Sequence, residues 1–212
     1  MDYYIFGCEN EIALNLIAKA SKEHEYIQIK RSSEIYDDVK KFEIPNNRIG
    51  IVYLSSILVP AKFYDRSKAD IFEQYKINAA IPIQLMEYLN DNCDVGFDFI
   101  YVSSESGKKG SFDSGYAITK NCVEFFIREL YLKHHESRVL CVSPSTIEDS
   151  RMTLRRDDVE RLKAYKKNHP KKRFLTASEV ASVIHSLMGA EFSYLTNTTI
   201  ELNGGKFARK TL

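Results

Sequence analysis

Tyr116 and Lys120 stand four residues apart in the stretch YVSSESGKKGSFDSGYAITK, residues 101–120. On a helix that spacing puts both side chains on one face, one turn from each other. A phenol gives up its proton near pH 10, and a neighbouring ammonium favours the phenolate. The pair is thereby brought toward the working range of a general acid/base. A serine at the end of the preceding strand would hydrogen-bond a substrate carbonyl or hydroxyl and hold it against the tyrosine. Taken alone, a Tyr-x-x-x-Lys pair is more often a half-buried tyrosine beside a solvated lysine. The elements around it have to carry the rest.

Short apolar runs alternate with amphipathic stretches along the whole length, the pattern of a parallel sheet covered by helices. Strands are expected over 3–6, 26–29, 49–54, 97–102, 139–142 and 198–202, with Gly50 inside the third and Pro144 stopping the fifth. Helices are expected over 10–22, 68–91, 114–133 and 177–188, the last capped by Thr176 or Ser178. Residues 31–48 show no clear strand, and residues 151–173 read as a basic, polar insertion without apolar periodicity. No repeat or linker divides the chain. The expected architecture is α/β, a Rossmann-type doubly wound parallel sheet in a single domain over residues 1–212.

Composition sets limits on function. The chain has 212 residues, 44% hydrophobic and 28% charged, which is ordinary for a soluble globular protein and enough for a real core. A net charge of +1 points to no polyanionic partner, and no nucleic-acid motif accompanies the basic segment. Cys8, Cys93, Cys122 and Cys141 form no CxxC pair and have no histidine at ligand spacing, so no metal site is expected. No signal peptide and no membrane-length apolar run is visible, and no Gly-x-Ser-x-Gly elbow suggests a serine hydrolase. The expectation is a cytoplasmic protein without membrane or nucleic-acid partners.

Residues 101–120 resemble the catalytic region of the short-chain dehydrogenase/reductase family: a strand, a serine, about a dozen residues, then Tyr-x-x-x-Lys opening a long helix. Ser104 begins Ser104-Glu105-Ser106-Gly107, similar to the family's Ser-x-x-Gly, 12 residues before Tyr116; Ser103 stands at the commoner 13. Ser104 is preferred on local pattern and Ser103 stays open. Ile77-Asn78-Ala79 resembles the family's Val-Asn-Leu, whose Asn completes a water-linked proton relay. Cys141-Val142-Ser143-Pro144-Ser145 resembles the Val-x-Pro-Gly segment beside the nicotinamide, with Ser145 for Gly. The stretch from Thr176, with Glu179-Val180-Ala181, through Ile200-Glu201-Leu202-Asn203-Gly204-Gly205 is similar to the family's carboxyl-terminal ending.

The resemblance implies hydride transfer between NADP or NAD and a small-molecule carbonyl or alcohol, with NADP slightly favoured. Ser104, Tyr116, Lys120 and Asn78 would be catalytic. Gly7, Ile12, Arg31, Ser32, Ser55, Ser56, Pro144, Ser145 and Ile147 would join Tyr116 and Lys120 in holding the cofactor. Arg31 and Ser32, at the tip of the second strand, would suit a 2′-phosphate. The family's Thr-Gly-x-x-x-Gly-x-Gly is here Phe6-Gly7-Cys8-Glu9-Asn10-Glu11-Ile12-Ala13. Only Gly7 survives, and Glu11 sets a carboxylate where the second glycine would let a diphosphate approach. The Asn-Asn-Ala-Gly after the third expected strand is reduced to Tyr53-Leu54-Ser55-Ser56, and the short stretch before it implies a missing strand or helix over the adenine.

Residues 151–173, which hold ten Lys or Arg against three acids, would form the lid and suit a phosphorylated or carrier-linked substrate. Association through the helices over 68–91 and 114–133 would give a homodimer or homotetramer, with Phe125, Phe126, Ile127 and Leu130 offering apolar surface. Two other readings stand beside the oxidoreductase. One is a scaffold or sensor that has lost its cofactor, favoured by the damaged loop, the shortened adenine region and Ser145. The other is cofactor-free dehydration or isomerisation.

Overall fold

The structure is a computed structural model that describes residues 1–19 and 24–208. Six parallel strands form one sheet: β1 (Asp2–Phe6), β2 (Glu25–Ile29), β3 (Ile49–Tyr53), β4 (Phe97–Val102), β5 (Arg138–Pro144) and β6 (Thr198–Leu202), in the order β2-β1-β3-β4-β5-β6. The order reverses between β1 and β3, so the chain opens a crevice at the carboxyl ends of these two strands. Between β2 and β3 lie two single turns of 3-10 helix, Glu34–Tyr36 and Val39–Lys41, and no strand. The strand expected to be missing over the adenine is absent from the described sheet, which leaves β2 at its edge.

Helices α1 (Glu11–Ala18) and, near the carboxyl end, α8 (Ala177–Leu187) pack on one face of the sheet. The other face is covered by α2 (Lys68–Tyr75), α3 (Ile81–Asn92) and α5 (Ser114–Glu129), with the short α4 (Ser106–Lys109) leading into α5. Alternation along the strands builds both cores. Ile51, Tyr53, Phe99 and Tyr101 pack under α3 and α5, while Val52, Ile100 and Val102 pack under α1 and α8.

Several boundaries differ from the sequence expectations. The helix expected over 10–22 is α1, with Asn10 outside as its cap; residues 20–22 lie outside the described residues. The helix expected over 114–133 ends at Glu129, and Ser178 lies inside α8, whose cap is Thr176 in a reciprocal capping box with Glu179. The segment 151–173 contains α6 (Arg151–Leu154) and α7 (Val159–Asn168), and neither buries a residue. A helix without a covered face has no need of an apolar stripe, which is why periodicity is silent there. Of the apolar positions expected on α5, only Phe125 is exposed; Ile127 is buried, and Phe126 and Leu130 are half-buried against the core.

The helix expected over 68–91 is interrupted by one π-helical turn, Lys76–Ala80, between α2 and α3. The widened turn loosens the usual hydrogen-bond ladder, and two buried phenols from neighbouring strands meet the carbonyls it presents. The Tyr53 hydroxyl donates to the Ile77 carbonyl at 2.6 Å, and the Tyr101 hydroxyl donates to the Asn78 carbonyl at 2.8 Å. The Asn78 side chain is thereby fixed toward the loop after β3. Tyr53→Phe and Tyr101→Phe each strand a buried carbonyl and are expected to cost about 1–2 kcal/mol. Urea unfolding should show a lower midpoint at unchanged slope; wild-type midpoints in both variants would show that the phenols do not hold the turn.

Candidate active site

Helix α5 begins at a cap that is itself buried. Asp113 Oδ1 accepts from the Tyr116 backbone N–H at 2.9 Å, and Oδ2 accepts from Val59 N–H at 2.8 Å and from Gln74 Nε2 at 2.6 Å. Arg66 Nη1 lies 3.2 Å from Oδ1 and balances the carboxylate charge. Gly115 follows because a Cβ there would fall 2.4 Å from Gln74 Oε1. The first turn of α5 is thus locked to α2 and to the loop after β3, and the position of Tyr116 follows from that lock.

The Tyr116 side chain is buried, and Ser104 and Ser56 are the side chains that act on its phenol. Burial pushes the phenol above its ordinary pKa, the two serines draw it back, and the Asp113 carboxylate adds to the rise. The sequence expectation of a lowered phenol is therefore reversed: desolvation outweighs any neighbouring cation. Ser103, the reserve candidate, turns the other way and donates to Glu124 Oε1 at 2.5 Å. Ser104, unlike Ser103, is the serine that acts on Tyr116.

Lys120 is 1% exposed and has no carboxylate in hydrogen-bonding contact among the described residues. Its ammonium donates to the Val102 carbonyl at 2.8 Å and sits 4.6 Å from the Tyr101 ring centroid and 5.7 Å from that of Tyr116. Burial pulls it down to about 7, with Cys141 and Glu124 pulling the other way. Asn78 is fully buried. Its Oδ1 accepts from Ile57 N–H at 2.7 Å and from the Ser56 hydroxyl at 3.4 Å. Its Nδ2 donates to the Ile57 carbonyl at 2.8 Å and to Thr119 Oγ1 at 3.2 Å. With Tyr101 also on its carbonyl, Asn78 straps the loop after β3 to α5.

The residues expected to hold a cofactor divide along the crevice. Gly7 has φ +80°, and a Cβ on it would fall 2.6 Å from Ser55 N, so the turn after β1 is pressed against the loop after β3. Ile12 packs its side chain into the core, leaving only its backbone for an anion. The Ser55 hydroxyl is committed to the Tyr36 phenol. Arg31 and Ser32 are exposed at the end of β2, with the Arg31 charge felt at the phenols of Tyr36 and Tyr53. Pro144 ends β5; Ser145 is buried and donates its backbone N–H to the Leu202 carbonyl at 3.0 Å, and Ile147 bridges in parallel to Leu175.

At the other end of the turn, the Asn10 side chain caps α1 by accepting from Ala13 N–H at 2.9 Å. Arg151, the first residue of α6, places Nε 3.1 Å from Glu11 Oε1 and donates from Nη2 to the Glu9 carbonyl at 3.1 Å. A buried phenol, two hydroxyls and a buried ammonium suit the nicotinamide-ribose end of a dinucleotide.

Sequence reasoning missed Ser56 as a neighbour of Tyr116, the capping role of Asp113, and the roles of Tyr101 and Glu124. Only Asp113 had a local signal, an acid three residues before Tyr116 at a helix start.

Comparison with known proteins follows from this geometry. A family model described as enoyl-(acyl carrier protein) reductase matches residues 29–206. No curated protein matches the chain by sequence. The fold is similar to that of a short-chain dehydrogenase/reductase (glucose/ribitol dehydrogenase) from Brucella melitensis, at 22% identity and TM-score 0.79, covering 98% of this chain and 97% of that one. It is similar to a 3-oxoacyl-[acyl-carrier protein] reductase from Brucella melitensis, at 18% identity and TM-score 0.74, over 98% of this chain and 91% of that one. A variant of ElxO with NADPH bound is 16% identical, with TM-score 0.74 over 98% and 99% of the two chains.

The titration of Lys120 has a measurable consequence. Its folded pKa, about 7, lies below its value of about 10.5 in an unfolded chain, so folding expels a proton between these limits. The stabilising effect of the neutral form is complete above about pH 10.5 and is lost as pH falls through 7. Lys120→Met should therefore exceed the wild type in stability most at pH 6, with the gap closing toward pH 10. A gap that does not change with pH would show that Lys120 keeps an ordinary pKa.

Proposed function

Because the chain belongs to the short-chain dehydrogenase/reductase family, we propose that it is an NAD(P)-dependent oxidoreductase that reduces a carbonyl to an alcohol. The observation that carries this reading is the buried Tyr116 phenol, with Ser104 and Ser56 beside it and the buried Lys120 ammonium 5.7 Å from its ring. A phenol raised above its ordinary pKa is protonated at neutral pH, which suits it to give a proton to a developing alkoxide rather than to take one. Ser104 donates a hydrogen bond to the substrate oxygen and holds it at the phenol. Ser56 supports the phenolate left after transfer, and Asn78 holds Ser56 in place. Lys120, which titrates near neutrality, stabilises that phenolate when protonated. The dinucleotide, when bound, supplies the hydride; Tyr116, Lys120, Ser145 and Ile147 would hold its nicotinamide end, and Arg31 and Ser32 favour NADP over NAD.

The substrate class follows from the lid. Leu154, Val159, Leu162 and Phe174, together with Glu148, Arg156 and Lys163, line an open groove of about 310 Å³ along α6 and α7. Its apolar walls suit an acyl chain. The reductase from Brucella melitensis acts on a substrate of that class by its name. Exposed Phe72, Ile118 and Phe125 on α2 and α5 offer a face for a second copy, as expected of a homodimer or homotetramer. No helix among the described residues is long and apolar enough to cross a membrane.

A scaffold or sensor remains the second reading. It is favoured by the β1–α1 turn, where Asn10 caps the Ala13 N–H and Arg151 is paired with Glu11. Fluorescence titration separates the two, with micromolar NADPH binding expected and tighter than NADH. With acetoacetyl-CoA as probe substrate, Tyr116→Phe should lower NADPH oxidation about 100-fold or more while leaving NADPH affinity near wild type. An undiminished rate would remove Tyr116 from the chemistry, and no binding of either dinucleotide at millimolar concentration would favour the scaffold.

A further inference from the structure

We propose that Arg151 is the residue that binds the pyrophosphate of the dinucleotide, supplying with a guanidinium the phosphate affinity that the glycine-poor turn has lost. The inference rests on the oxidoreductase reading above. Arg151 comes from the opposite end of the chain, yet two of its nitrogens lie 3.1 Å from acceptors at the start of α1, a Glu11 carboxylate oxygen and the Glu9 carbonyl. Glu11 is the first residue of α1, where the turn's second glycine would otherwise admit a phosphate. These contacts, to one carboxylate oxygen and one carbonyl oxygen, show that the guanidinium reaches the start of α1 with two donors directed at oxygen acceptors, the chemistry by which it would hold a phosphate.

The surrounding groups permit the exchange. The Arg151 side chain is 57% exposed, which leaves it room to swing from Glu11 to a ligand within the same turn. The Asn10 cap satisfies only the Ala13 N–H among the donors of the first turn. Unpaired, Glu9 and Glu11 would repel a diphosphate, whereas one guanidinium bridging carboxylate and phosphate offsets that repulsion. Since Arg151 opens α6, its move onto the pyrophosphate would also draw the lid onto the bound dinucleotide.

Calorimetric titration with ADP tests the assignment, with adenosine as the control that lacks the phosphates. Glu11→Gln removes the competing anion and is expected to bind ADP about tenfold more tightly, whereas Arg151→Gln should bind it about tenfold more weakly. The double variant should bind ADP more tightly than Arg151→Gln but less tightly than Glu11→Gln, and adenosine should not distinguish any of them. Thermal unfolding will confirm that these two surface substitutions leave the fold intact. ADP affinity unchanged or increased in Arg151→Gln would overturn the inference, since Arg151 would then be only a latch over the turn. Reduced nicotinamide riboside, which lacks phosphate, separates this from failure of the underlying reading. If it binds while ADP affinity ignores Arg151, only the pyrophosphate assignment falls. If it does not bind while ADP behaves as expected, the oxidoreductase reading falls instead.

Discussion

Two buried phenols capping one widened helical turn are the constraint on which the site depends. Tyr53 and Tyr101 occupy matching positions on adjacent strands, their rings stacked 6.1 Å apart, and their hydroxyls reach successive carbonyls of the π turn. Because sheet and helix are tied at that point, Asn78 has one available direction, toward the Ser56–Ile57 backbone and Thr119. Ser56 is in turn delivered to Tyr116, and the ring of Tyr101 becomes the floor on which the Lys120 ammonium rests. The same phenol that orders the helix thus lines the environment of the titrating lysine.

Most of the architecture was legible because its signals are local. A strand rich in β-branched and aromatic residues, a helix cap and a four-residue spacing are each written in a short window of sequence, so the six strands and the Tyr116–Lys120 face can be read directly. The pairing of Ser104 with Tyr116 also lay within reach, since strand end and helix start are only a loop apart. What escaped is set by contacts between distant segments. Tyr53 and Tyr101 look like ordinary core aromatics until the turn they cap is placed beside them. Ser56 lies 60 residues before Tyr116, and nothing in its neighbourhood announces the phenol. The expected effect of the lysine on the tyrosine had the wrong sign because spacing gives proximity but not burial, and in this interior the loss of solvation dominates both groups.

The crevice is built unequally along its length. At one end, neutral hydroxyls, a half-titrating amine and buried aromatic rings leave a site of low net charge, suited to moving a single proton. At the other, carboxylates and a guanidinium face each other across the surface, where solvent and salt moderate their interaction. The basic segment of the sequence is less basic in space than its composition suggests, since Arg156, Lys163, Lys166 and Arg173 are each paired with an acid.

The π turn also bears on how this helix can vary. Its widened ring amounts to one residue added to an otherwise regular helix, and each residue of a regular helix accounts for about 100° of rotation. Deleting a single residue within Lys76–Ala80 would restore an unbroken α-helix and turn α2 by about that angle relative to α3. Gln74 would then leave Asp113, and the cap of α5 would lose a partner. Length changes that any surface loop would absorb are thus excluded from these five positions.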